Sequence, residues 1–215
     1  MVGAKGNPAL RLGMYNPPPR KRVASWPELD ALLEAAAPWP SMACAIALAL
    51  YHGQRKKDIV EATRADVAGN MWRLVRSKRG NLGSFALHPN AAPYIEAAMQ
   101  GHEDQDRLLI SEITGRPYTL DGFSKLWVKV RALAVMEIPE LADFQFRDLR
   151  RTAAHLARIG GASTRDVGDM LGNSAYTDAK ISATYMPISH ETASTAVQAI
   201  KRPEAPKKRK KNDAG

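Results

Sequence analysis

A chain of 215 residues with 31 Lys plus Arg against 22 Asp plus Glu carries a formal charge of +9. It is long enough to bury a full core without disulfides or a structural metal, and its single cysteine, Cys44, excludes a disulfide framework and a multi-cysteine zinc site. The longest apolar run, Met42 to Tyr51, is ten residues and too short to span a membrane, and the N-terminus has no apolar signal core, so the sequence reads as intracellular and cytoplasmic.

The charge is unevenly placed. Residues 1–22 hold five bases and no acid, and residues 201–215 hold seven bases and two acids. The body between them holds 19 bases and 20 acids, so its net charge is −1. Positively charged ends are expected to add affinity for phosphate backbone without sequence preference. They say little about what the body binds.

Residues 1–24 read as a basic, Pro-rich arm, because Pro17, Pro18 and Pro19 forbid helix. Ser25 with Glu28 reads as a capping box opening a helix with Leu29, Leu32 and Leu33 at helical spacing. The run from Ser41 to His52 is apolar nearly all round and predicts a central buried helix that stops at Gly53. A short helix is expected at 55–62. The period then changes: residues 71–77 and 84–88 read as two strands joined by a Gly- and Asn-rich turn. Helices follow at 91–100, Leu120 to Val135, 148–159, 164–171 and 189–200, with Ser163 and Asp166 forming a second capping box. Residues 201–215 have almost nothing to bury and read as a disordered basic tail. The fold class is therefore mainly α with a small antiparallel β-sheet (α+β). The expected domain spans 25–200.

Metal chemistry has little support. The histidines at 52, 88, 102, 155 and 190 form no i,i+4 pair, and Glu103, Asp104 and Asp106 fit a solvated turn. There is no GxxxxGK or GxGxxG loop for a nucleotide. Arginines stand out instead. Arg55 follows the turn after the buried helix, with Asp58 three residues on, and Arg147 and Arg150 lie one turn apart at a helix start. A guanidinium is planar, permanently charged and fork-shaped, which suits the non-bridging oxygens of a phosphodiester. Any one of these arginines alone reads first as a surface charge or a local ion pair, with Asp58 and Asp148 as nearby partners.

In order along the chain, Gly53-Gln54-Arg55 with Asp58, the turn Ser77-Lys78-Arg79-Gly80, Arg147-Asp148-Leu149-Arg150-Arg151-Thr152, Leu171-Gly172-Asn173-Ser174 and Ala183-Thr184-Tyr185 resemble the tyrosine recombinases, the phage integrases and their relatives. The resemblance covers roughly residues 23–187, the whole catalytic domain of that family. It implies that Arg55 and Arg150 clamp the scissile phosphate and stabilise its pentacoordinate transition state, typically ~3–4 kcal/mol per preorganised donor. Lys78 matches the acid that protonates the leaving 5′-oxygen, with Arg79 as a competitor for the role. Tyr185 matches the nucleophile that forms a 3′-phosphotyrosine bond. A phenol with pKa near ~10 needs positive charge or a base beside it to attack at neutral pH. No metal, nucleotide or other cofactor is implied, and no membrane or small-molecule substrate. The implied partner is double-stranded DNA, bound by a homo-oligomer, commonly a tetramer, and the implied role is integration and excision by a prophage or mobile element.

Three features depart from the family pattern. Arg147 stands where the family has His and cannot serve as general base, although its charge can lower the Tyr185 pKa. Asn173 stands where His or Trp is usual; it donates a hydrogen bond but cannot shuttle a proton. Tyr185 follows Asn173 by 12 residues, a longer loop than the family spacing, and Tyr176 fits the position worse. Family members also carry a separate helical domain before the catalytic one, where 24 residues stand here, so the chain alone is expected to bind DNA weakly. The alternative reading is a catalytically weakened or inactive DNA-binding relative. A third is a helical domain whose basic ends bind polyanions.

Overall fold

The computed structural model describes residues 20–75 and 82–172. Seven α-helices and a small sheet follow one another in the expected order: α1 (Trp26–Ala36), α2 (Pro40–His52), α3 (Lys56–Val60), β1 (Val67–Ala68), β2 (Met71–Val75), β3 (Leu82–Ala86), α4 (Ala92–Met99), α5 (Leu120–Val135), α6 (Phe146–Ile159) and α7 (Thr164–Leu171). The expected helix at 189–200 lies outside the described residues.

Helix α2 is the centre of the core. Pro40 occupies its first turn, where a missing N–H costs nothing. Every residue from Ser41 to Leu50 is buried, and α1, α3, α4 and α6 pack around it. Met42, Ile46 and Leu48 are fully buried, each stabilising the fold by about 1.5–3 kcal/mol. Both expected capping boxes are present. The Glu28 carboxylate accepts the Ser25 N–H (2.8 Å) and hydroxyl (2.9 Å), and Ser163 Oγ accepts the Asp166 N–H at 3.1 Å. Two further boxes, Thr63 with Asp66 and Gln145 with Asp148, were not anticipated from sequence; the second starts α6 at Phe146, two residues before the expected 148.

The sheet has order β1-β2-β3 and is antiparallel throughout. Strand β1 is a third strand that the sequence does not announce: two residues are too few for alternation to show. Between β2 and β3 the register pairs Trp72 with Phe85 and Leu74 with Gly83, placing Trp72, Leu74 and Gly83 on the buried face. Strand β3 runs Leu82–Ala86 and not the expected 84–88. His88 has left the ladder: its ring stacks on Tyr51 with centroids 4.4 Å apart, and its N–H donates to His52 Nε2 at 3.2 Å. No helix among the described residues is long and apolar enough to cross a membrane.

Candidate active site

Helix α2 ends at Gly53 in the left-handed region (φ 62°), where a side chain is strained. A Cβ there would also lie 2.8 Å from Leu171 Cδ2. Glycine therefore lets the end of α2 press against the end of α7. Gln54 follows and is buried. Its side-chain amide donates to His52 O (2.5 Å) and to Met170 O (2.9 Å) in the last turn of α7. Arg55 then caps the start of α3, with its guanidinium 3.7 Å from Asp58 Oδ2; the Arg55 side chain is 26% exposed and the Asp58 side chain fully buried.

Arg150 comes to the same junction from α6. It is 4% exposed and donates to Gly53 O, 97 residues away in sequence, and to Leu171 O at 2.6 Å. Carbonyls at a helix C-terminus have no partner within the helix and sit at its negative end. Gln54 and Arg150 supply donors to α7 there, and one of those donors is cationic. One side chain thus ties Gly53, two residues before Arg55, to Leu171, two residues before Asn173.

The first turn of α6 is held from the other side. Asp148 is fully buried, and its carboxylate accepts from Arg20 Nε (2.9 and 3.1 Å), Arg151 (3.1 Å) and the Gln145 N–H (2.9 Å). Arg20 also donates to Asp143 O at 2.5 Å. The Ala24 N–H donates to Thr152 Oγ1 at 3.0 Å. Arg22 pairs with Glu28 and lies 5.4 Å from the Phe144 ring centroid. The bond to Asp148 raises the Arg20 pKa, and the bond to Glu28 raises that of Arg22. Burial pushes the Glu28 carboxyl up, but its bonds to Arg22 and Ser25 outweigh this and hold it below its ordinary value. Two of the five arm cations expected to face phosphate are therefore engaged by carboxylates of the body. Asp148 pairs with Arg20 and Arg151, not with the motif residues Arg147 and Arg150.

Arg147, the second residue of α6, is exposed. It lines a groove of about 430 Å³ with Lys56, Ser124, Trp127, Arg131 and Gln145. His52 joins the sheet to this region. Its ring is edge-on to Trp72 (5.5 Å) and Phe85 (6.2 Å), and burial lowers its pKa to about 4. Through it, the end of α2 that leads to Arg55 packs on the two strands β2 and β3.

Of the sequence-derived site residues, Arg55, Arg147 and Arg150 are thus placed around the α2–α3 junction and the start of α6. Lys78, in the link between β2 and β3, and Asn173 and Tyr185, beyond α7, lie outside the described residues. Gln54 was not singled out from sequence, although it lies inside the Gly-Gln-Arg motif. Asp148 was expected as a local ion-pair partner, but its bond to Arg20, 128 residues away, was not legible.

A helical domain with a small antiparallel sheet and arginines gathered at the ends of α2, α6 and α7 is the fold of a tyrosine recombinase catalytic domain. The chain resembles a XerA recombinase structure (16% identity, TM-score 0.67, 87% of this chain and 68% of that one). It also resembles a lambda integrase dimer bound to a COC′ core site (19%, 0.64, 82% and 51%), and the Tn1549 transposon integrase in complex with a circular intermediate DNA (10%, 0.68, 84% and 66%). It spans about half the length of the lambda integrase chain. None of the curated proteins matches it. The chain belongs to the phage integrase family, which it matches over residues 27–201.

Proposed function

We propose that this protein cleaves and rejoins double-stranded DNA at specific sites through a 3′-phosphotyrosine intermediate. Tyr185 loses its phenolic proton to solvent, its oxygen attacks the scissile phosphorus, the bond to the 5′-oxygen breaks, and Lys78 gives its proton to that oxygen. Attack by a 5′-hydroxyl on the phosphotyrosine reverses the step and joins the strands, so no external energy source is needed. Arg55 and Arg150 clamp the non-bridging oxygens. Arg147 and Asn173 donate hydrogen bonds, and the charge of Arg147 favours the phenolate. Residues 25–200 act as the catalytic unit, flanked by the arm and the basic tail, and four copies act on two DNA sites.

The observation that supports this reading is the bridge made by Arg150 between Gly53 O and Leu171 O, which joins the turn before Arg55, the first turn of α6 and the end of α7. Relatives of the same fold are bound to DNA, among them a lambda integrase tetramer on a Holliday junction. A nicked suicide duplex carrying the crossover sequence tests the reading: the protein is expected to form an SDS-resistant adduct, and Tyr185→Phe to form none. An adduct with Tyr185→Phe would remove Tyr185 as nucleophile. The presence of Arg147, which cannot accept a proton, favours a second reading, a DNA-binding relative that does not cleave. Salt-sensitive binding with no adduct from the unaltered chain would select it.

A further inference from the structure

The groove beside Arg147 has a composition that the strand-cleaving residues do not explain. Lys56 from α3, Arg131 from α5 and Arg147 from α6 all line it, and no acidic residue does. Among the described residues, none of the three has a carboxylate within ion-pair distance, while Arg20, Arg22, Arg55, Lys57, Lys125 and Arg151 each have one. The body as a whole carries −1, so three unneutralised cations in one groove are a local concentration of charge. Two of them are also held in place. Lys56 Nζ donates to Ser124 Oγ at 2.9 Å, and Arg131 donates to Phe144 O at 3.1 Å. The buried rings of Trp127 and Phe146, which also line the groove, meet edge to face at 5.3 Å. Cations held by hydrogen bonds along one groove need less ordering before they bind an anion, which is how a preorganised site gains affinity.

We infer that this groove is a second phosphate subsite, which seats a backbone phosphate of the DNA strand next to the scissile one, with Lys56 and Arg131 as positioning residues and Arg147 at the boundary between the two phosphates. The inference rests on the DNA strand-exchange reading. Lys56 directly follows Arg55, and Arg147 is one helical turn from Arg150, so a strand whose scissile phosphate lies at those arginines has its neighbouring phosphate on the groove side. Neutralising one phosphate contact changes the slope of log affinity against log salt by ~0.9.

Fluorescence anisotropy with a labelled duplex, titrated in sodium chloride, reads that slope directly. The double variant Lys56→Gln/Arg131→Gln is expected to flatten it by ~0.9 and each single variant by part of that, while Arg131→Lys keeps the unaltered slope. Lys57→Gln, which removes a neighbouring but carboxylate-paired cation, is expected to leave it unchanged. Thermal unfolding of each variant shows that the fold is retained. Unchanged slopes in both Arg131→Gln and Lys56→Gln, with the unaltered chain still binding, would overturn the subsite and leave the strand-exchange reading intact. An equal loss in Lys57→Gln would overturn it too, by reducing it to bulk charge. Displacement of the duplex by inorganic phosphate well beyond chloride of equal ionic strength would make the groove a free-anion site. Absence of any duplex binding by the unaltered chain would remove both the subsite and the reading beneath it.

Discussion

On the inner side of α6, Arg150 and Arg151 are 4% and 6% exposed, and each is tied down: Arg150 to two backbone carbonyls, Arg151 to the buried Asp148. On the outer side, Arg147 is exposed and has no carboxylate partner among the described residues. The difference follows from solvation. An ion taken out of water loses several kcal/mol of hydration and has to be compensated by charge or hydrogen bonds. An exposed guanidinium keeps its water and needs no partner. Both inner arginines therefore help hold α2, α6, α7 and the arm together, Arg150 in addition to the phosphate role proposed for it, and the outer one is left open to a ligand. Lys56 and Arg131 belong with the outer set.

The comparison can be broken first at Asp148. Its carboxylate serves Arg20, Arg151 and the Gln145 N–H, and its side chain is fully buried. Removing one partner of a buried ion pair leaves the other charge uncompensated. Asp148→Ala is expected to lower the unfolding free energy by about 3–5 kcal/mol, read from urea denaturation at pH 7. A loss below about 1 kcal/mol would mean that Arg20 and Arg151 find water instead, and that the inner set is no more structural than the outer one.

A second, somewhat smaller effect comes from His52, which packs between the sheet and the Gly53–Arg55 turn. Burial depresses its pKa from 6.5 to about 4. Below pH 6.5 the unfolded chain binds a proton that the folded chain refuses, so the neutral imidazole's contribution is complete above that value. It falls as pH drops from 6.5 toward 4, by about 3 kcal/mol at most. His52→Gln should flatten this part of the stability–pH curve. An unchanged slope in the variant would assign it to other groups.

The helices around these residues were legible because their signals are local. The buried run of α2, the stop at Gly53 and the capping boxes at Ser25 and Ser163 all lie within a few residues of what they determine. The charge network was not legible, because Arg20 reaches Asp148 across 128 residues and the outer groove collects one cation from each of three helices. Periodicity carries no information about such pairings. In the sequence Arg20 and Arg22 look like free arm charges, and Arg150 and Arg151 look alike. Only burial and partners show that Arg150 and Arg151 are tied into the fold while Arg147 is not. Arg55, Arg147 and Arg150, which the motif order singles out, stand around one junction.

The smallest expected effect on stability is the sharpest test of the division, because it must coincide with a large effect on chemistry. Arg147→Ala removes an exposed side chain with no carboxylate partner among the described residues, and surface substitutions of that kind stay within about 0.5 kcal/mol. If Arg147 donates to the phosphate in the transition state, the same variant should slow adduct formation on the suicide duplex by ~10²-fold or more, the usual cost of losing one preorganised donor. Arg151→Ala should show the reverse balance: a clear loss of stability from the buried Asp148, left with only Arg20 and the Gln145 N–H, and a smaller loss of rate per folded molecule. Measuring both quantities on both variants separates the two faces of α6. A large stability loss in Arg147→Ala, or an unchanged cleavage rate, would place Arg147 with the inner set after all.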